Sequence, residues 1–219
     1  MKYYPIFLDV RQKSCLVVGG GAVGARKAAT LEKCGAKVKA VSGRFSAGFD
    51  GLKTSICLEK KKYEKKDIKG MFLVFAATNN HDLNQQIKKD ALEFNVLCNI
   101  ADAPGISDFI LPSIVERGDL VLAVSTSGSS PAMAKKIRQE LDRRFGPEYA
   151  GFLQLMGNIR EKLLSSGHAP FEHKLIFNAL IEKGTLELIE ANDEIKINRV
   201  LRDVLGKGYD YQDLVSSKE

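Results

Sequence analysis

The chain has no tryptophan and only four cysteines, three histidines and six prolines among its 219 residues. The cysteines (Cys15, Cys34, Cys57 and Cys98) are widely scattered, with no CxxC pair and no Cys/His cluster. A structural zinc site is therefore not expected, nor any other metal ligand. Cys15 and Cys98 sit inside apolar runs and read as small buried hydrophobes. No histidine lies near a serine-rich stretch, so no Ser-His-Asp set is evident. His81, His168 and His173 stand isolated and read as surface or core residues. No apolar run approaches the roughly 18 residues of a membrane span. The opening residues Met1 to Phe7 lack the apolar stretch of a signal peptide, so a cytoplasmic location is expected.

What is present is ordinary for a globular chain. Hydrophobic residues make up 44% and charged residues 27%, which excludes a disordered or collagen-like polymer. The length fits one large domain or two small ones. The net charge of +6 is unevenly placed. Residues 1–147 carry 24 Lys and Arg against 15 Asp and Glu, whereas residues 148–219 carry 9 against 12. A basic front half suits an anionic cofactor or substrate, and nucleic acid stays open at this level. The densest run, Lys60-Lys61-Lys62-Tyr63-Glu64-Lys65-Lys66, reads as a solvated loop, because no aromatic ladder accompanies it.

The order of patterns defines an α/β chain. Ser14–Val18 is a short β-branched run that ends in Gly19-Gly20-Gly21, a buried strand entering a tight turn. Ala22–Cys34 follows with Val23, Ala28, Leu31 and Cys34 on one helical face, closed by Gly35. Strands are predicted at 37–41, more weakly at 53–62, and at 71–77 and 96–100, with a helix over 82–94. Alternating strands and helices imply βαβ units and a parallel sheet. Then the pattern changes. Leu120–Thr126 is a strand, and Ser127–Pro131 a polar loop. A helix with Met133, Ile137, Leu141 and Phe145 on one face runs from Pro131 to about Phe145. Ser130 is a good N-cap, and Pro131 suits the first helical turn. Gly146-Pro147 closes it. Beyond that point only helical patterns occur.

Gly19-Gly20-Gly21-Ala22-Val23-Gly24 is a G-x-G-x-x-G between a strand and a helix, the context of a Rossmann-type dinucleotide loop. Gly19 permits the turn, Gly21 lets the backbone approach a pyrophosphate, and Gly24 lets helix and strand pack closely. The helix N-terminus adds free N–H groups and partial positive charge. At the end of the second strand an NAD site usually has an acidic residue. Here the chain reads Val41-Ser42-Gly43-Arg44. Ser42 suits ribose hydroxyls, and Arg44 suits a 2′-phosphate or an adenine face. From this chemistry NAD and NADP are about even. Asp102 lies just past the carboxyl end of a strand, where open α/β sheets bind ligands. It reads as a base or a turn residue. The hydroxyls of Ser125-Thr126-Ser127-Gly128-Ser129-Ser130, with the N–H groups of the helix they open, suit carboxylates.

Several stretches match, in order, one known family. They are Tyr4-Pro5-Ile6-Phe7-Leu8, the loop from Val17 to Lys27, Ala76-Ala77-Thr78-Asn79, Cys98-Asn99-Ile100-Ala101-Asp102-Ala103-Pro104, Phe109-Ile110-Leu111-Pro112-Ser113 and Ser129-Ser130-Pro131. The chain resembles the precorrin-2 dehydrogenases, including the dehydrogenase/ferrochelatase module of sirohaem synthases, strongly over residues 1–145. The resemblance implies oxidation of precorrin-2 to sirohydrochlorin with NAD, and in some members insertion of ferrous iron. It implies a Rossmann-type sheet over 1–113, a strand-helix dimerisation unit over 114–146 and a helical domain over 147–219. Asp102 falls on the position of the family's catalytic carboxylate. NAD contacts fall on Gly21, Ala22, Val23, Gly43 and Arg44, with Gly19, Gly24, Ser42, Thr78 and Asn99 in the same cofactor site. Pro104, Ser113, Thr126, Ser127, Gly128 and Ser129 are expected to face the tetrapyrrole. A homodimer is implied, with no nucleic-acid or membrane partner. The rival reading is a nucleotide-sensing regulatory module, which would share the glycine loop but not require Asp102.

Overall fold

The computed structural model describes residues 1–166 and 170–216. His168 lies outside them. Two units follow one another, Met1–Leu111 and Pro112–Glu219.

The first unit is a five-stranded parallel sheet. Its strands are β1 (Ser14–Val18), β2 (Lys37–Ser42), β3 (Cys57–Lys60), β4 (Leu73–Ala76) and β5 (Leu97–Ile100). They lie in the order β3-β2-β1-β4-β5. The chain winds outward from β1 in one direction and returns past it to β4, so the order reverses between β1 and β4. That reversal opens a crevice at the carboxyl ends of the strands. β1 is buried almost throughout, because sheet neighbours flank it and apolar clusters cover both faces. A strand buried on both sides reads as an unbroken apolar run rather than an alternating one. Helices α1 (Ala22–Lys33) and α2 (His81–Glu93) supply the crossovers. α1 covers one face with Ala25, Ala28 and Leu31 among Val17, Ala40 and Phe75. α2 covers the other with Ile87 and Ala91 against Val74 and Cys98. Cys15 and Cys98 are buried as expected, and desolvation raises both thiols to about 11.

The lysine-rich stretch is more structured than a solvated loop. Asp67, buried at the end of a short helical turn, accepts from Lys61 Nζ at 2.7 Å and Lys39 Nζ at 3.3 Å, and from the Glu64 backbone N–H at 2.9 Å. The basic residues neutralise a buried carboxylate, which the run of like charge in the sequence conceals.

The free edge of β5 is closed by its own continuation. The chain leaves Ile100, turns through 101–106 and folds back. Ser107 Oγ accepts the Ile100 N–H at 2.8 Å, and Asp108 Oδ2 accepts the Cys98 N–H at 2.8 Å. Side chains thus cap strand donors that would otherwise template pairing. The same bonds fix both ends of the turn that carries Asp102.

The second unit opens with a hairpin of β6 (Ser113–Arg117) and β7 (Leu120–Val124), paired antiparallel. The sequence reading missed β6. Its signal was Gly118-Asp119 between two alternating runs. Gly118 takes φ +57, which a glycine-first two-residue hairpin requires. α3 (Pro131–Arg144) packs on the hairpin and buries only Ala134. Arg117 joins them, donating to the Asp142 carbonyl at 2.9 Å and its carboxylate at 2.8 Å. The helices α4 (Glu148–Ser165), α5 (Pro170–Glu182), α6 (Thr185–Glu190), α7 (Glu194–Leu205) and α8 (Tyr211–Val215) complete the unit. They enclose Leu155, Ile159, Leu163, Leu180, Ile197 and Leu201.

The glycine loop sets the closest approach in the first unit. A Cβ on Gly24 would lie 2.1 Å from the Gly19 carbonyl oxygen. Helix propensity alone favours Ala over Gly by about 1 kcal/mol. Overpacking against backbone costs roughly 1–3 kcal/mol or more, so the clash should win. Gly24→Ala is expected to lose about 1–2 kcal/mol in urea unfolding; a more stable variant would contradict this packing.

Candidate active site

The crevice between β1 and β4 is built from backbone. Gly19 has φ +126, and a Cβ there would lie 2.1 Å from the Ala77 carbonyl oxygen. Gly20 sits as tightly against the 42–46 turn, where a Cβ would meet the Arg44 carbonyl oxygen at 2.0 Å. The loop and that turn are stitched by Gly19 N–H to Val41 O at 3.0 Å and Ser46 N–H to Gly20 O at 2.8 Å. Gly21 differs from these neighbours. A Cβ on it would have nothing within 4 Å. Its backbone is extended, with φ −82, so the fold itself does not demand glycine there. Open space lies where a pyrophosphate would approach.

The helix behind that space is prepared for an anion. α1 has Gly21 at its N-cap, with no side-chain cap and no acidic residue in its first turn. By contrast, α2 is capped by Asn80, α3 by Ser130 and α7 by Asp193. Gly21, Ala22 and Val23 are exposed, while Gly19 and Gly24 are buried. A helix end without its own acceptor suits a phosphate. The residues present therefore fit a dinucleotide. At the end of β2, Gly43 and Arg44 are exposed and Ser42 is half-buried. Ser42 Oγ donates to the Arg44 carbonyl at 2.8 Å, so its hydroxyl first shapes the turn.

Asp102 lies beyond β5, on the same edge of the sheet. Two side chains of α2 hold its carboxylate. Asn84 Nδ2 donates to Oδ1 at 3.0 Å, and His81 Nδ1 lies 3.3 Å from Oδ2. Asn84 is fully buried, and Thr78 Oγ1 sits 2.7 Å from its Oδ1. Thr78 thus shapes the site through Asn84. Desolvation raises the Asp102 carboxyl, but the bonds from His81, its own backbone N–H and Asn84 outweigh it and hold the group below its ordinary value. The carboxylate is ionised at neutral pH and its side chain is 45% exposed. Sequence reasoning took His81 as isolated; the fold brings it to Asp102 because α2 begins directly beside the turn after β5. His173 is buried in α5, near Phe177.

Asn99 is placed differently from the other expected cofactor residues. It is 6% exposed, its Oδ1 accepts from Lys27 Nζ at 2.9 Å, and its Nδ2 donates to the Phe109 carbonyl at 2.9 Å. Lys27 also lies over the Phe75 ring. Burial lowers its ammonium to about 8. This pair, which the sequence reading did not find, ties α1 to β5. Pro104 begins a short helical turn and is exposed.

The expected substrate residues of the second unit form a second loop. Ser113 opens β6. Thr126 Oγ1 bridges the Ser130 backbone, 3.0 Å from its carbonyl and 3.2 Å from its N–H. Ser127 and Gly128 take positive φ, +54 and +87, and are exposed with Ser129. A non-glycine residue in this region is strained, and such strain collects where a loop presents its backbone to a ligand. Among the described residues, no three His, Cys, Asp or Glu side chains converge as for a metal ion.

Sheet order, glycine loop and uncapped helix define a Rossmann-type dinucleotide-binding protein. Residues 6–113 match an NAD(P)-binding family model, and residues 117–144 match the central region of sirohaem biosynthesis proteins. A siroheme synthase of Nitrosococcus oceani is 33% identical over 211 residues, 95% of this chain and 45% of that protein. One from Zymomonas mobilis is 36% identical over 165 residues, 74% of this chain and 35% of that protein. The chain thus spans about half the length of the curated relatives, or less. Its fold is shared with the solved SirC, precorrin-2 dehydrogenase, at a TM-score of 0.78 and 24% identity, over 92% of this chain and 98% of that one. The chain is thus similar to an NAD(P)-binding family over its first part, to sirohaem biosynthesis proteins over residues 117–144, and to siroheme synthases over most of its length. A nicotinamide dinucleotide is the cofactor of its first unit. Among the described residues no helix is long and apolar enough to cross a membrane.

The open space at Gly21 yields a direct test. Gly21→Val should keep the wild-type unfolding midpoint and lose most NAD affinity by calorimetry. Unchanged affinity in the folded variant would remove the phosphate from this loop.

Proposed function

We propose that this chain oxidises precorrin-2 to sirohydrochlorin, with NAD as hydride acceptor and Asp102 as the general base. The observation that carries the reading is the ionised, exposed Asp102 carboxylate, held by Asn84 on the edge of the sheet that bears the dinucleotide loop. Bound NAD supplies the hydride acceptor. The chain's own residues do the rest. The N–H groups at Gly21, Ala22 and Val23 hold the pyrophosphate, and Gly43 and Arg44 border the adenosine end. Asp102 takes the proton that leaves the ring as the hydride departs. A carboxylate below its ordinary pKa is always available at neutral pH, although a lower pKa also makes it a weaker base. The family resemblance favours NAD over NADP despite the missing acid after β2. The hydroxyls and N–H groups of the Thr126–Ser129 loop are the proposed contacts of the tetrapyrrole's carboxylates, and Pro104 and Ser113 are proposed to face the substrate.

The same reading includes a homodimer through the hairpin and α3. Met133 is 48% exposed, Ile114 42% and Val121 37%. A helix that buries one alanine and leaves Ile137, Leu141 and Phe145 only half-buried, beside a hairpin that exposes Ile114 and Val121, suits a second copy, with obligate interfaces often above about 2,000 Å². Sedimentation should give a dimer at micromolar concentration; a monomer would contradict the pairing.

Loss of a general base typically costs about 10²–10⁴-fold in rate. Asp102→Asn should lose that much turnover of precorrin-2 and keep NAD affinity, since the amide preserves shape but accepts no proton at neutral pH. Near-normal turnover would make Asp102 a turn residue only.

A further inference from the structure

Besides its own backbone N–H, two side chains of α2 hold Asp102, and the reading above explains only one of them. Asn84 is buried and rigid, and it grips Oδ1. A carboxylate gripped at one oxygen still turns about its Cβ–Cγ bond. The second point is His81, the first residue of α2, whose Nδ1 lies 3.3 Å from Oδ2. The ring's other nitrogen, Nε2, lies 3.1 Å from Gln85 Nε2. An amide nitrogen only donates, so Nε2 accepts there and the ring proton stays on Nδ1. The imidazole therefore donates to Asp102 through Nδ1. Gln85, one turn along the same helix, selects the tautomer, as the partner of one ring nitrogen commonly does. The groups facing the pair are Asn84 and Gln85 from α2 and Thr78 from the β4–α2 turn, all uncharged.

We infer that His81 is a positioning residue for the base: its Nδ1–H and the Asn84 amide together fix the plane of the Asp102 carboxylate. The inference rests on the reading of Asp102 as base and deepens it. Each carboxylate oxygen has about two acceptor sites. One on each oxygen is occupied by a donor of α2, and the residue's own backbone N–H takes a further one. The orientation of the proton acceptor is set by the helix, and a small loss of orientation lowers rate without touching cofactor binding.

Two substitutions separate this role from a structural one. In His81→Asn the side-chain amide can stand near the Nδ1 position and donate, while in His81→Leu no donor remains. The readouts are the ¹³C carboxyl titration of Asp102 in the full chain and the steady-state constants with precorrin-2 and NAD. In His81→Leu, Asp102 should ionise at higher pH than in the wild type, because a hydrogen bond that lowers it is lost. The kcat should fall roughly 3- to 10-fold, as for one lost hydrogen bond, with the KM for NAD unchanged. His81→Asn should restore most of both. An unmoved titration in His81→Leu, or an Asn variant that behaves like the Leu variant, would overturn the inference while Asp102→Asn remains inactive. Full turnover in Asp102→Asn would overturn the base and this inference with it.

Discussion

The site depends on how closely backbone approaches backbone at the carboxyl edge of β1. Gly19 meets Ala77, Gly20 meets Arg44, and Gly24 meets Gly19, each at a distance no side chain would allow. These approaches bring the ends of β1, β2 and β4 and the start of α1 to one place. They also leave α1 without a cap of its own. The N-terminal donors of a helix seek an acceptor, and here the fold leaves that role to a ligand.

Asp102 reaches the same edge by a different device. β5 ends the sheet, and its continuation folds back so that Ser107 and Asp108 bond to the strand's free donors. The turn between is short, fixed at both ends and directed toward α2. Asn84 and His81 then orient the carboxylate. Position comes from the edge of the sheet, and orientation comes from the helix. Lys27 and Asn99 join the two halves beneath, with an ammonium buried between an amide and an aromatic ring.

Much of this was legible in the sequence because it is periodic or local. Apolar runs gave β1, β4 and β5, and the helical repeat gave α1 and α2 to within a residue or so. The glycine spacing placed the dinucleotide loop. β6 was missed because Ser113–Arg117 has only two apolar residues and no apolar run, although Gly118-Asp119 marked its turn. The pairing of His81 with Asp102, of Lys27 with Asn99, and of Asp67 with Lys39 joins residues 21 or more positions apart, while Lys61 lies only six from Asp67. No spacing rule reaches across a βαβ unit. Gly21 illustrates the converse case. The motif singled it out, and the structure supplies the reason, which is open space rather than a forbidden backbone angle.

The central claim is that one chain joins a dinucleotide loop to a proton acceptor for ring oxidation. The most direct measurement follows NADH formation and the sirohydrochlorin spectrum together, anaerobically, with purified chain, precorrin-2 and NAD. The account predicts one NADH per sirohydrochlorin, with neither formed when any component is omitted. A chain that binds NAD but forms no NADH with precorrin-2 would contradict it and leave a nucleotide-binding module without this chemistry.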